Sequence, residues 1–157
     1  MDKDPKMIDQ LIFEVRKAFE DTIRPEQFIR GTCQCDECRE HEETMQSFRP
    51  DELPLDKLCN PGWDPICFAS NRAFAYFMPG LAKIVLENPD QYLQQFLFHI
   101  RQPERRDSFT TTQADALVKI LDFLVLEETA IVERHASEDD LFNARSELEE
   151  IIERIDG

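Results

Sequence analysis

The run Leu117-Val118-Lys119-Ile120-Leu121-Asp122-Phe123-Leu124-Val125-Leu126 decides the fold class. Eight of its ten positions are apolar, too continuous a pattern for a surface helix with a narrow stripe, so it is expected to cross the centre of a helical bundle. A strand over 120–126 is the competing reading, but the polar flanks keep helical spacing and supply no turn. Thr110 and Gln113 have the spacing of a capping box that would start this helix. His135 then falls near its C-terminal end, where the helix dipole accounts for an imidazole without any catalytic role.

Toward the C-terminus, Ser137 reads as the N-cap of a last helix, with Glu138, Asp139 and Asp140 at its positive end. Leu141, Ala144, Leu148, Ile151, Ile152 and Ile155 form its apolar stripe. Together the two segments predict a long C-terminal helical hairpin.

Toward the N-terminus, Arg101 to Ser108 reads as an exposed linker, preceded by a helix opened by Asn88-Pro89-Asp90 with Tyr92, Leu93, Phe96, Leu97 and Ile100 on its buried face. Ser70 or Asn71 caps a helix bearing Phe74, Phe77, Met78 and Leu81, in which Pro79 predicts a kink or a division into two helices. Pro61-Gly62 predicts a turn that delivers Trp63 to the core as an anchor, and Asp64-Pro65 has the form of a further cap. A first helix is expected from Asp4-Pro5 to about Thr22, striped by Ile8, Leu11, Ile12, Val15 and Phe19, followed by a helical turn or bend after Pro25 carrying Phe28 and Ile29.

The resulting fold class is all-α: an irregular single-domain helical bundle over residues 1–157, with a cysteine-rich irregular segment at 31–62. Apolar residues make up 41% of the chain, which rejects global disorder despite the charge. No apolar run is long enough to span a bilayer and the N-terminus lacks the layout of a secretory signal, so a cytoplasmic location with reduced thiols is expected. The formal charge of −15 makes direct nucleic-acid binding a poor expectation and a basic protein partner an electrostatically favoured one, although acidity also serves solubility.

The segment 31–62 has little regular apolar surface and needs local anchors to offset the cost of chain ordering. Glu40 to Phe48 predicts a short helix within it. Gly31-Thr32-Cys33-Gln34-Cys35-Asp36-Glu37-Cys38-Arg39-Glu40-His41 contains C-x-C-x2-C-x2-H, three thiolates and one imidazole, the donor set of a tetrahedral zinc site. The expected metal ligands are Cys33, Cys35, Cys38 and His41, with Cys59 or Cys67 as alternatives to His41. Four protein donors would make the zinc structural, its binding energy becoming folding energy for the segment. Free thiols without metal, or a disulfide from Cys59 or Cys67 to the cluster, are the competing readings.

Elsewhere the chain lacks H-E-x-x-H, a pair of E-x-x-H motifs, a glycine-rich phosphate loop and a nucleophile elbow. Tyr76, His99 and the acids Glu127, Glu128 and Glu133 remain as scattered candidates, each with an ordinary packing or surface role as the simpler account.

Phe74-Ala75-Tyr76-Phe77-Met78-Pro79, with Gly62-Trp63-Asp64 before it and a helix-rich C-terminal half after it, resembles a family of small bacterial helical proteins of uncharacterised function that carry a Phe-x-Tyr-Phe/Tyr-Leu/Met-Pro segment. The resemblance implies a bacterial cytoplasmic helical domain and brings no catalytic residues with it.

The leading functional expectation is a non-enzymatic accessory or protein-interaction domain with a structural zinc site. A basic partner, such as a toxin neutralised by an acidic immunity-like protein, is its narrower form. The alternative is a small-molecule or metal-dependent enzyme using the cysteine cluster with His99, Tyr76 or a nearby acid. An open coordination position beside a concavity would favour the enzyme; a closed knot of four ligands would count against it.

Overall fold

In a computed structural model, residues 4–135 and 138–156 are described; they form α-helices, with a longer irregular connection over 19–35. The order is α1 (Pro5–Ala18), α2 (Asp36–Gln46), α3 (Leu55–Leu58), α4 (Asn71–Glu87), α5 (Pro89–Ile100), α6 (Pro103–Arg106), α7 (Thr111–Glu127), α8 (Thr129–His135) and α9 (Glu138–Asp156), with 3₁₀ turns at Pro61–Trp63 and Pro65–Phe68 before α4. Among the described residues there is no strand, so the chain is all-α. No described helix is long and apolar enough to cross a membrane.

α7 is the central helix that its apolar run predicts: Leu117, Ile120, Leu121 and Leu124 are fully buried, and Thr110 and Gln113 close both bonds of the capping box. α9 packs along α7 through Leu141, Ala144 and Leu148, with α1 on another side. The hairpin contains a break that the sequence reading did not place. α7 stops at Glu127, Thr129 Oγ1 turns back to donate to Val125 O at 2.6 Å, and the Glu128 carbonyl accepts from Ile131 and Val132 to open α8. His135 therefore ends α8 and not the central helix. The cap expected at Ser137 lies outside the described residues.

Three further expectations are corrected or narrowed. α1 ends at Ala18, short of Thr22, with the Phe19 ring still buried just past its end. Of the two alternatives at Pro79, division into two helices is excluded: α4 runs through it as one helix. There the neighbouring Gly80 N–H donates to Pro50 O at 2.9 Å, so the 49–54 turn packs directly onto the helix at its weakest point. Phe28 and Ile29 sit on extended backbone: Arg30 N donates to Phe68 O and Ser70 N to Phe28 O, both at 2.8 Å, in an isolated antiparallel bridge between Ile29 and Ala69. That bridge outweighs local helix preference because it buries the Phe28 ring completely, in contact with Phe77 and Tyr76.

The segment 101–108 is not an exposed linker. Arg105, on α6, is 3% exposed, and Arg101 makes a two-pronged pair with Glu147 of α9 at 3.2 and 3.1 Å.

Candidate metal centre

Gly31 reverses the chain with φ +76, a left-handed conformation suited to glycine, and Gln27 Nε2 fixes the turn by donating to Gly31 O at 2.7 Å. The chain then enters α2 four residues earlier than the apolar pattern predicts, because Cys35 serves as the N-cap, its sulfur accepting from Cys38 N at 3.4 Å, and Asp36 and Glu37 lie at the positive helix end. Arg39 Nε holds the loop from the other side by donating to Gln34 O at 2.9 Å. These contacts place Cys35 and Cys38 on the first turn and fold Cys33 back onto them.

The sulfurs of Cys33 and Cys35 lie 3.3 Å apart, and those of Cys33, Cys35 and Cys38 all lie within 4.8 Å of one another. All five cysteines are free thiols. Three sulfurs at corners of a tetrahedron around zinc, each about 2.3 Å from the ion, would be roughly 3.8 Å apart, so the three are close enough to hold one ion. Its hydrogen bonding already favours a thiolate. A backbone hydrogen bond from Cys35, then the thiols of Cys38 and Cys35, lower the pKa of Cys33, while the same bonds to Cys33 and Cys35, with burial, push Cys38 up to about 12.

His41 does not join this group. Its ring is fully buried, stacked on Phe68 at 4.4 Å between centroids and covered by Trp63 at 4.7 Å, with Nε2 3.6 Å from Glu37 Oε1. Neither ring nitrogen has a hydrogen-bond partner among the described residues. The i+3 spacing from Cys38 that nominated His41 is present, but the aromatic sandwich holds the ring elsewhere. Trp63 correspondingly is not a core anchor; 42% of it is exposed and its role is to lid His41. Cys59 and Cys67 also lie outside the three-thiol group.

Beside the cluster is a cavity of about 550 Å³ whose walls include Cys33, Gln34, Arg39, Glu26 and Glu43. Glu42 also borders it, with its carboxylate committed: it accepts from Phe28 N at 2.9 and 3.0 Å, from Ile29 N at 3.2 Å and from Gln46 Nε2 at 3.0 Å. Two of the three cysteines, Cys33 and Cys35, are exposed, and Cys33 faces this space.

A second polar cluster lies deeper. Asp64 caps the 3₁₀ turn Pro65–Phe68 through Oδ1 on Ile66 N at 2.9 Å, and its Oδ2 is 2.7 Å from His99 Nε2 and accepts from Gln95 Nε2 at 2.9 Å. Arg105 Nη1 lies 3.1 Å from His99 Nδ1, while Nη2 donates to Ile66 O and Ala69 O and the guanidinium stacks 4.4 Å from the Phe74 ring centre. Arginine only donates, so Nδ1 is the acceptor and Nε2 carries the hydrogen toward Asp64. Burial, then Arg30, push the Arg105 guanidinium down to about 10, leaving it charged near neutrality.

Asp64, Cys67 and His99 offer ligand atoms within 4.8 Å of one another, a juxtaposition of metal-site or cysteine–histidine type. The chemistry argues against both. The lone pair of Nδ1 is taken by Arg105 and the Nε2 hydrogen by Asp64, so His99 has none left for an ion or for the Cys67 proton. Burial, then Asp64, raises the Cys67 pKa, the reverse of thiol activation. This is a closed structural knot joining α5, α6 and the turn before α4. Asp64 was legible beforehand as a cap and His99 only as a scattered candidate; Arg105 had no signal, because a polar stretch gives no apolar periodicity.

No protein-family model, curated protein or solved structure matches the chain.

Proposed function

We propose that the chain is a non-enzymatic accessory domain for protein interaction, in which a zinc ion on Cys33, Cys35 and Cys38 fixes the segment entering α2. The observation that carries this reading is the convergence of three unpaired thiols within 4.8 Å at one helix N-terminus. Metal binding there would cross-link the turn at Gly31 to the first turn of α2, in a stretch whose remaining anchors are single hydrogen bonds.

Three sulfurs beside the cavity of about 550 Å³ leave one coordination position open, the arrangement expected of the enzyme alternative, but the donor chemistry favours the accessory role over catalysis. Three thiolates bring more negative charge than the divalent ion carries, so a water on that ion would be acidified far less than one on an ion held by neutral imidazoles. Glu42, one of the carboxylates bordering the cavity, is engaged with two backbone amides. The charge of −15 supports a basic partner, through faster encounter and exclusion of acidic competitors.

The test is elemental analysis with native mass measurement on protein purified without added metal, for wild type and Cys35→Ser. Serine keeps the N-cap oxygen for Cys38 N, so the helix start survives while one sulfur is lost. One zinc per chain in wild type and none in the variant is the expected result; equal metal content in both, or none in either, overturns the reading.

A further inference from the structure

The geometry points to a coordination sphere completed from outside the chain: an imidazole, presented by a histidine of a basic protein partner, as fourth donor to the metal on Cys33, Cys35 and Cys38. This inference rests on the zinc reading above and deepens it. A tetrahedral ion needs four donors and the cluster brings three. Among the chain's other candidates, His41 is sealed between Phe68 and Trp63, and Cys59 and Cys67 both lie outside the three-thiol group, Cys67 against Asp64 and His99. Glu37 is half exposed and would bring a further negative charge. Cys33 itself bounds the cavity of about 550 Å³, which has the volume to admit a side chain.

Charge selects the donor. Three thiolates on a divalent ion leave a net negative centre, and Glu26 and Glu43 in the cavity wall are countered there by Arg39 alone. A fourth thiolate or a carboxylate would add another negative charge to that wall; a neutral imidazole adds none and suits zinc equally well. The same acidic wall attracts lysine and arginine flanking the incoming histidine. A partner so bound would be held by a coordinate bond at the centre and ion pairs at the rim. The site would then read both the presence of a histidine and the basic character of its surroundings.

Cobalt-substituted protein tests this, because sulfur-to-cobalt charge transfer reports the thiolates and the d–d bands report the fourth donor. Three probes are titrated: imidazole, 2-mercaptoethanol, and a lysine-rich peptide with one histidine, alongside the same peptide with alanine in its place. Expected are a saturable d–d shift with imidazole and the same shift with the histidine peptide at about tenfold lower concentration, that advantage shrinking with salt. The alanine peptide should give no shift, and His41→Phe should leave the starting spectrum unchanged.

Insensitivity to imidazole, a change of the starting spectrum in His41→Phe, or tighter capture of mercaptoethanol than of imidazole would each overturn the inference while leaving the three-thiolate site standing. Equal potency of imidazole and peptide would overturn the protein partner as the source. Absence of any charge-transfer band would remove the metal site and this inference together.

Discussion

His99 Nε2 and Asp64 Oδ2 lie 2.7 Å apart with both side chains withdrawn from solvent, and this bond fastens α5 to the turn that precedes α4. Because Gln95 donates to the same oxygen and Arg105 to the other face of the imidazole, the pair is the centre of a network in which the carboxylate balances a buried guanidinium. Asp64→Asn would keep the shape and the cap but set an amide among donors and leave Arg105 without its counter-charge. A loss of about 3–5 kcal/mol is expected, read as a fall in urea midpoint at constant m-value. A loss below about 1 kcal/mol would show that the network does not hold these elements together.

Tyr92 is buried in the same region, yet its hydroxyl has no hydrogen-bond partner among the described residues. Burial, then Asp64 and Cys67, hold its phenol well above the ordinary value. The sign of the pH dependence follows. As pH rises past about 10 the unfolded chain loses this proton first, so it binds fewer protons than the folded chain and stability falls. Tyr92→Phe should therefore gain about 1 kcal/mol at neutral pH and lose stability less steeply than wild type above pH of about 10, as followed by urea unfolding at a series of pH values.

Gly80 sits in the interior of α4, where alanine would ordinarily stabilise the helix by about 0.5–1 kcal/mol. Here a Cβ would collide with the Pro50 backbone oxygen and press on the Leu53 side chain at 3.1 Å. Gly80→Ala is expected to destabilise by about 1–3 kcal/mol, with a lower thermal midpoint. A raised midpoint would mean that the 49–54 turn can withdraw without penalty.

Glu42 joins α2 to the extended segment through the Phe28 and Ile29 amides. Glu42→Gln replaces a charged acceptor that serves three donors by a neutral one with a single oxygen, and a loss of about 1.5–3 kcal/mol is expected. Hydrogen exchange at Phe28 and Ile29 is the specific readout: it should accelerate in the variant relative to exchange at Leu117 or Leu121 in α7.

The helices with strong periodicity were legible because their signals are local. Thr110 and Gln113, Asp4 and Pro5, and the apolar run from Leu117 act within a few residues of themselves. Local rules failed where a distant group intervened. Pro79 stays inside a helix because Pro50 O meets Gly80 N, Phe28 is extended because Phe68 and Ser70 pair with its neighbourhood, and Arg105 is buried because Asp64, His99 and two backbone carbonyls make a site for it.

The candidate centre divides in the same way. Spacing nominated Cys33, Cys35 and Cys38 as a group within six residues, and the Cys35 cap with the Arg39 contact to the loop brings their sulfurs together. Whether the fourth residue of the pattern joined them was decided by partners more than twenty residues along the chain, Trp63 and Phe68, whose rings enclose His41. Local patterns in the chain pointed to the all-α class and to a group of three thiols. Only the tertiary structure decided the surroundings of that cluster and the buried Asp64–His99–Arg105 knot, because packing between distant segments outweighs local spacing wherever an aromatic or charged side chain must be withdrawn from water.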